Sequence, residues 1–138
     1  MIIDAKDLIV GRLASVAAKR AMVGESVEII NAEQAVISGS RDQVLAHFMH
    51  FRFGRTTPRK GPFISRLPHL LLRRLIRGML PYDRNKGRLA YQRIRCHVGT
   101  PKELEGKAQT IPAADYHKLP HRKVVRIEEI AKHLGAPI

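Results

Sequence analysis

The sequence contains a single cysteine, no tryptophan, and an aromatic content of only 5%. Cys96 therefore has no partner for an internal disulfide, and zinc or redox sites of the Cys-x-x-Cys type are excluded. So few aromatic rings also argue against a binding protein built mainly on stacking platforms.

Long hydrophobic stretches are missing as well. No apolar run approaches the roughly 18 residues that a membrane span needs, and Leu70–Leu72 ends at Arg73. The N-terminus, Met1–Asp4, lacks the basic and apolar regions of a secretory signal. A chain of 138 residues, 44% hydrophobic and 27% charged, is typical of one folded domain. The sequence thus predicts a soluble, intracellular single domain over residues 1–138.

Acidic residues are scarce relative to basic ones, and the imbalance is local. The 25 Lys and Arg outnumber the 12 Asp and Glu, which gives a formal net charge of +13 and a pI of about 10.7. Residues 52–95 contain 13 basic residues and one acid, Asp83, whereas the rest of the chain has 12 basic and 11 acidic residues. Nearly all of the excess charge therefore lies in one segment, in which Asp83 is predicted to be a local counter-charge.

Eleven of these 13 basic residues are arginine. The planar guanidinium group can bind phosphate in a bidentate manner and can stack on bases. A solvated basic face that only improves solubility is the alternative, but solubility does not require charge confined to a third of the chain. The pattern therefore favours a nucleic-acid partner. The predicted contact residues are Arg52, Arg55, Arg59, Lys60, Arg66, Arg73, Arg74, Arg77, Arg84, Lys86, Arg88 and Arg95.

Local patterns predict an α/β fold. The apolar run Met1–Ile3 and the β-branched run Val27–Ile30 predict strands, and the Ala-rich, periodic segment Leu13–Val23 between them predicts a helix that ends at Gly24. A further apolar run at Ala35–Ile37 continues the alternation. Alternating strands and helices are typical of βαβ units, so we expect a small, mainly parallel sheet flanked by helices.

Further elements are predicted on either side of the basic segment. Ser40 is expected to cap a helix from Arg41 to about Phe53. Residues 54–68 contain prolines and glycines among positive charges and predict an exposed loop. Residues 102–122 lack periodicity and predict an irregular connection, followed by a last strand and a short helix within 124–134.

Two basic helices are predicted to form, with the preceding loop, an extension in the middle of the chain. Pro68 can open the first helix because its missing N–H is not needed at that position, and Pro81 is expected to end it. The apolar and arginine residues of this helix fall on opposite sides. The second helix, about Arg84 to Arg93, would bury Leu89, with Ala90 as a further candidate.

Candidate catalytic and metal sites are weak. Gly11 precedes a helix, but no glycine-rich nucleotide-binding fingerprint accompanies it, so a tight turn is favoured. His47 and His50 are three residues apart on a predicted helix, without a third ligand for a metal. Cys96 and His97 resemble a nucleophile and its base, but neighbours on a strand point to opposite faces. The residues therefore predict no enzyme, and Cys96 is expected to be a small buried residue.

The sequence also contains a set of short, specific motifs. They are Asp4-Ala5 with Gly11-Arg12-Leu13-Ala14-Ser15, Asn31-Ala32-Glu33 with Val36-Ile37-Ser38-Gly39, Arg59-Lys60-Gly61-Pro62-Phe63, Ile76-Arg77-Gly78-Met79-Leu80-Pro81, and Gly87-Arg88 followed by Gly99. Together they span about residues 2–99, with weaker agreement over 124–135, and resemble the ribosomal protein L13 family of the large subunit. The direct passage from Gly24 to Val27 resembles the archaeal and eukaryotic members, because bacterial members carry an insertion there. The chain is also short, without the long C-terminal helical tail of eukaryotic members, and so resembles the archaeal form.

The resemblance implies an α/β protein that binds large-subunit ribosomal RNA and supports assembly of the subunit without catalysis. The implied partners are that RNA, through the basic segment of about 52–95, and neighbouring large-subunit proteins of the cytoplasmic ribosome. No membrane, cofactor or small-molecule substrate is implied. Gly78 is a further predicted RNA-contact position, where the backbone could approach RNA; packing against a neighbouring helix explains this glycine equally well. A free-standing basic RNA chaperone or nucleic-acid-compacting protein is the alternative function.

Overall fold

A computed structural model describes residues 1–54 and 59–138, and every structural statement below concerns these residues. Three short strands, β1 (Ile2–Asp4), β2 (Val27–Ile30) and β4 (Ile94–Cys96), form a parallel sheet in the order β1-β2-β4. Their β-branched side chains suit a pleated sheet covered by other elements, and Ile3 and Ile29 face each other in the register, fully buried. The predicted α/β class with a small, mainly parallel sheet is confirmed.

The first helix, α1 (Val10–Val23), covers the predicted segment Leu13–Val23 and begins three residues earlier. Its alanines are almost completely buried, because small side chains let the helices that cover α1 approach its backbone closely. Gly24 ends the helix with φ of 112°, a left-handed conformation that favours glycine, and its N–H donates to the carbonyl of Ala21 at 3.2 Å. Gly11 lies inside the first turn of α1, so the turn expected at this residue comes earlier in the chain.

A second, two-stranded sheet lies outside the βαβ unit. β3 (Val36–Ser38) pairs antiparallel with β5 (Val124–Arg126), so a strand from the first third of the chain meets one near its C-terminus. α2 (Arg41–Phe53) has the predicted bounds, although the side chain of Ser40 makes no capping hydrogen bond, contrary to expectation. α5 (Ile127–His133) follows β5 directly and buries Ile127 and Ile130.

The connection over residues 102–122 is irregular, as predicted, but it has a structural role that the sequence does not indicate. It contains three single 3₁₀ turns, at Lys102–Leu104, Pro112–Ala114 and Tyr116–Lys118. Between them the backbone N–H of Gln109 donates to the carbonyl of Ile2 at 2.9 Å, and the N–H of Asp4 donates to the carbonyl of Gln109 at 3.0 Å. This segment therefore covers the free edge of β1, an edge that would otherwise present unpaired backbone groups.

The predicted basic extension contains the helices α3 (Pro68–Arg77) and α4 (Asn85–Gln92). Pro68 occupies the first helical position as expected, and α3 packs against α1, α5 and β4. Two expectations are wrong. α3 ends at Arg77, before Gly78, rather than at Pro81, and Leu89 of α4 is 45% exposed.

The buried side of α4 is formed by Gly87 and Ala90 instead of Leu89. These two residues are three apart and share a helix face. A Cβ atom built on Gly87 would lie 2.0 Å from the carbonyl oxygen of Pro81, so α4 touches the backbone of the preceding turn. Because α4 lies so close to this backbone, only small residues fit on its inner face, and the larger Leu89 points to solvent.

None of the described helices is long and apolar enough to cross a membrane. Of the predicted loop of residues 54–68, the structure describes Gly54 and the residues from 59 onward. It is largely exposed there, apart from Ile64, which joins the core.

Candidate nucleic-acid interface

The structure separates the predicted contact residues into two groups by exposure. Arg55 lies outside the described residues. Seven side chains are exposed, and we call them the exposed basic set: Arg59, Lys60, Arg66, Arg84, Lys86, Arg88 and Arg95. Arg88 donates from Nε to the carbonyl of Tyr82 at 3.2 Å, and the other six make no side-chain hydrogen bond within the described chain. The donors of these six side chains therefore have no partner in the described chain and can bind one outside it.

The charge of this segment is not neutralised inside the described chain. Among the described residues, four Lys or Arg side chains and two histidines pair with carboxylates, and all six pairs lie outside residues 52–95. Asp83, expected to be a local counter-charge, is exposed and makes no ion pair with any described residue. The acidic and basic residues of the flanks compensate one another, whereas the cations of residues 52–95 leave a strong positive potential.

The four half-buried arginines have contacts of their own within the fold. Arg73 donates from Nη2 to the carbonyl of Tyr91 at 3.3 Å, and its guanidinium carbon lies 4.4 Å from the centre of the Tyr91 ring. Arg77 lies 5.0 Å from the centre of the Tyr82 ring, and the two tyrosine rings meet edge to face at 5.4 Å. This chain of cation–π and aromatic contacts fixes α4 against α3.

The other two half-buried arginines hold the loop that precedes α3. Arg52 donates from Nη1 to the carbonyl of Ile64, and Arg74 donates from Nη1 to the carbonyl of Phe63 at 3.5 Å. Sequence reasoning treats all arginines of the segment alike, because a hydrogen bond to a distant carbonyl leaves no local pattern. For Arg52, Arg73, Arg74 and Arg77 an RNA contact stays a prediction, and it would add to these internal contacts.

Gly78 lies at the surface immediately after α3. It has an ordinary helical φ of −63°, and a Cβ atom built on it would meet only the carbonyl oxygen of Leu75, at 3.4 Å. No neighbouring helix of the described chain requires a glycine here. Of the two explanations for Gly78, close packing inside the protein has no support in the structure, while close approach to RNA stays a prediction.

Hydrogen bonds among motif residues connect the carboxyl ends of the parallel strands. This edge of the sheet is where α/β proteins often bind ligands. Asn31, in a left-handed conformation with φ of 54°, donates from Nδ2 to Oδ1 of Asp4 at 2.9 Å and accepts from the Thr100 hydroxyl at 3.2 Å. Glu33 accepts from the N–H of Gly99 at 3.1 Å. The Asp4, Asn31-Ala32-Glu33 and Gly99 motifs thus join the three strand ends to one another.

The structure assembles no catalytic or metal site from the weak candidates. His47 and His50 are both exposed, and no group of three or more potential metal ligands occurs in the described part of the chain. His97 bonds through Nε2 to Glu28 at 2.9 Å, on the neighbouring strand, and Cys96 is half-buried. Burial raises the pKa of the Cys96 thiol to about 12, against a weaker opposing effect of Arg73.

This pKa predicts an unreactive thiol in the folded chain. The thiolate is the nucleophile, and with a pKa near 12 instead of 9.0 its fraction at pH 8 falls roughly a thousandfold. We expect alkylation of Cys96 by iodoacetamide at pH 8 to be slower by about that factor than in the urea-denatured chain, as followed by mass spectrometry. Equal rates in the two states would show that the thiol is accessible and ionised.

The fold and the charge distribution together define a class of protein. An α/β scaffold with paired charges, one uncompensated arginine-rich region and no metal cluster in its described part is typical of a protein that packs against a polyanion rather than of a catalyst. The model of the family described as ribosomal protein L13 matches residues 1–103, and the chain belongs to this family.

Curated relatives align over nearly the whole chain. The chain is 39% identical to the large ribosomal subunit protein uL13 of Methanopyrus kandleri over 97% of its own length and 86% of the relative's. It is 43% identical to the protein of that name from Methanocaldococcus jannaschii, over 98% and 97% of the two lengths. The Methanosarcina barkeri protein of that name is 42% identical over the same shares.

These matches confirm the family and the archaeal-like form that the motifs predict. The family is a structural component of the large ribosomal subunit and not an enzyme, so the prediction of a non-catalytic, translation-associated ribosomal protein is also confirmed.

Proposed function

We propose that this chain binds large-subunit ribosomal RNA through the exposed basic set and so supports assembly of the subunit in the cytoplasm. The observation that carries the proposal is the distribution of ion pairs: all six lie outside residues 52–95, while the cations inside that segment have no acidic partner in the described chain. A dense line of phosphates would supply the missing negative charge.

The kind of contact follows from the residues. A-form RNA has a deep, narrow major groove that side chains do not read, so proteins recognise RNA helices mainly by shape and by backbone contacts. Seven exposed cations spread over loop, helix and strand suit several phosphates better than one base edge. Residues 1–138 would act as one unit, in which the paired-charge scaffold holds the basic surface and offers its other faces to neighbouring large-subunit proteins.

Fractionation of ribosomes tests this proposal directly. After a moderate-salt wash of a cell extract on a sucrose gradient, we expect the protein to sediment with the large subunit, as detected by immunoblotting or mass spectrometry. Affinity carried by many phosphate contacts falls steeply as the salt concentration rises, so the released fraction should increase with the salt concentration of the wash. Recovery in the soluble fraction alone would instead support the free-standing chaperone.

A further inference from the structure

An open groove of about 330 Å³ lies between α2 and α3, beside the arginines of the basic extension. Leu71, which is buried, and Leu75 form apolar walls on the α3 side, and His47 and Phe51 lie on the α2 side. This volume is at the small end of the range for ligand sites, about 300–1,000 Å³. The groove therefore suits a single compact, planar group better than a helix of another protein.

The α2 side of the groove presents aromatic rings to solvent. His47 and Phe51 are one turn apart on α2, their ring centres are 4.7 Å apart, and Phe51 is 45% exposed. Scattered apolar residues on a surface need no explanation, but an aromatic ring that lines a groove leaves costly apolar area in water until something covers it. A flat aromatic ligand would cover this area by stacking.

The rim of the groove is cationic. Arg74 and Arg77 both line it, and the residues that line it include no carboxylate. Arg77 is held in place by the Tyr82 ring, 5.0 Å away, and Arg74 by the carbonyl of Phe63. Two positioned guanidinium groups beside an apolar, aromatic slot match the chemistry of a nucleotide, whose base is flat and weakly polar on its faces and whose phosphates are anionic.

We infer that this groove takes one unpaired nucleobase of the bound RNA, stacked against Phe51 and His47, with its flanking phosphates on Arg74 and Arg77. The inference rests on the proposed function, because it is the basic surface that would bring RNA to the groove. It goes beyond that function by placing one base, rather than backbone alone, at a defined position. Gly78 also lines the groove and leaves its entrance free of a side chain.

Two hairpin RNAs test the inference with the full-length chain. Both have the same stem, and one carries a single bulged 2-aminopurine, whose fluorescence is quenched by stacking. We expect the bulged hairpin to bind more tightly and to lose fluorescence on binding. Stacking of one base on an aromatic side chain corresponds to a roughly 5- to 150-fold change in affinity.

Substitutions in α2 test whether the preference for the bulged hairpin depends on the groove. Phe51→Ala should abolish the preference for the bulged hairpin and leave binding of the paired hairpin unchanged. Phe51→Leu, which keeps apolar bulk but removes the ring, should do the same and guards against a folding defect. Phe53→Ala is the matched control, because Phe53 is on the same helix, is 60% exposed and does not line the groove.

The outcomes separate the inference from the function. If wild type binds both hairpins equally and Phe51→Ala changes nothing, RNA binding stands and the base site is overturned. If Phe53→Ala loses the preference for the bulged hairpin as fully as Phe51→Ala does, the base site is also overturned, because Phe53 does not line the groove. If neither hairpin binds, the proposed function itself fails and the inference fails with it.

Discussion

Replacing Gly87 by alanine is expected to lower the free energy of unfolding by about 3 kcal/mol. The added Cβ atom would lie 2.0 Å from the carbonyl oxygen of Pro81 and 2.9 Å from the backbone nitrogen of Tyr82, and neither backbone atom can rotate away. The higher helix propensity of alanine offsets about 1 kcal/mol at most. A thermal unfolding curve should show the midpoint lowered by roughly 10 °C.

Gly78→Ala is the matched control for this substitution. Gly78 belongs to the adjacent motif, but its added Cβ atom would meet only one carbonyl oxygen, at an ordinary contact distance of 3.4 Å. We expect its unfolding midpoint to stay within about 2 °C of wild type. If both variants unfold alike, the contact between α4 and the turn at Pro81 does not explain why residue 87 is glycine.

Neutralising four residues of the exposed basic set is expected to weaken RNA binding roughly a thousandfold at about 0.1 M salt. The variant carries Arg84→Gln, Lys86→Gln, Arg88→Gln and Arg95→Gln. Each phosphate contact contributes about 0.7–0.9 to the slope of log affinity against log salt concentration, so loss of four contacts should flatten the slope by about 3. Titration of large-subunit ribosomal RNA at several salt concentrations measures both quantities.

A control variant that loses four positive charges outside residues 52–95 shows whether the position of the lost charges matters for RNA binding. Lys102, Lys107, Arg122 and Lys123 are exposed, and their side chains make no hydrogen bond or ion pair in the described chain. Their replacement by glutamine should change the slope by less than about 1. Equal effects of the two variants would mean that RNA responds to net charge alone. Arg73 is left intact in both, because its loss would also remove its contact with Tyr91.

Local signals explain why much of the fold could be predicted from the sequence. The alanine periodicity predicts the body of α1 and Gly24 predicts its end, because propensity and the left-handed stop act within a few residues. Pro68 begins α3 for a similar reason. Short β-branched runs separated by a helix predict the parallel pairing of β1 and β2, since a βαβ connection leaves little choice of direction.

The expectations that failed concern contacts between distant residues. Leu89 is the most hydrophobic residue of α4, and pattern alone favours burying it. The approach of α4 to the Pro81 backbone instead turns Gly87 and Ala90 inward. Likewise, Gln109 extends the sheet through its backbone, which any residue except proline could do, so its side chain carries no signal.

The candidate site was only partly predictable for the same reason. Charge counting identifies residues 52–95 as the uncompensated segment, and the pairs of opposite charge among the described residues all lie in the flanks. Counting does not show that Arg73 is bound to a carbonyl 18 residues away, or that His47 and Phe51 line a groove with Arg74. These features depend on how α2, α3 and α4 pack.

A structure of the assembled large ribosomal subunit, determined by electron cryomicroscopy, tests the central claim most directly. The claim is that the uncompensated basic surface of this chain lies on ribosomal RNA. We predict that most of the exposed basic set, including Arg84, Lys86 and Arg95, has side-chain nitrogens within about 4 Å of phosphate oxygens. If that surface instead faces solvent or acidic protein, while the paired-charge flanks contact the RNA, the account is contradicted.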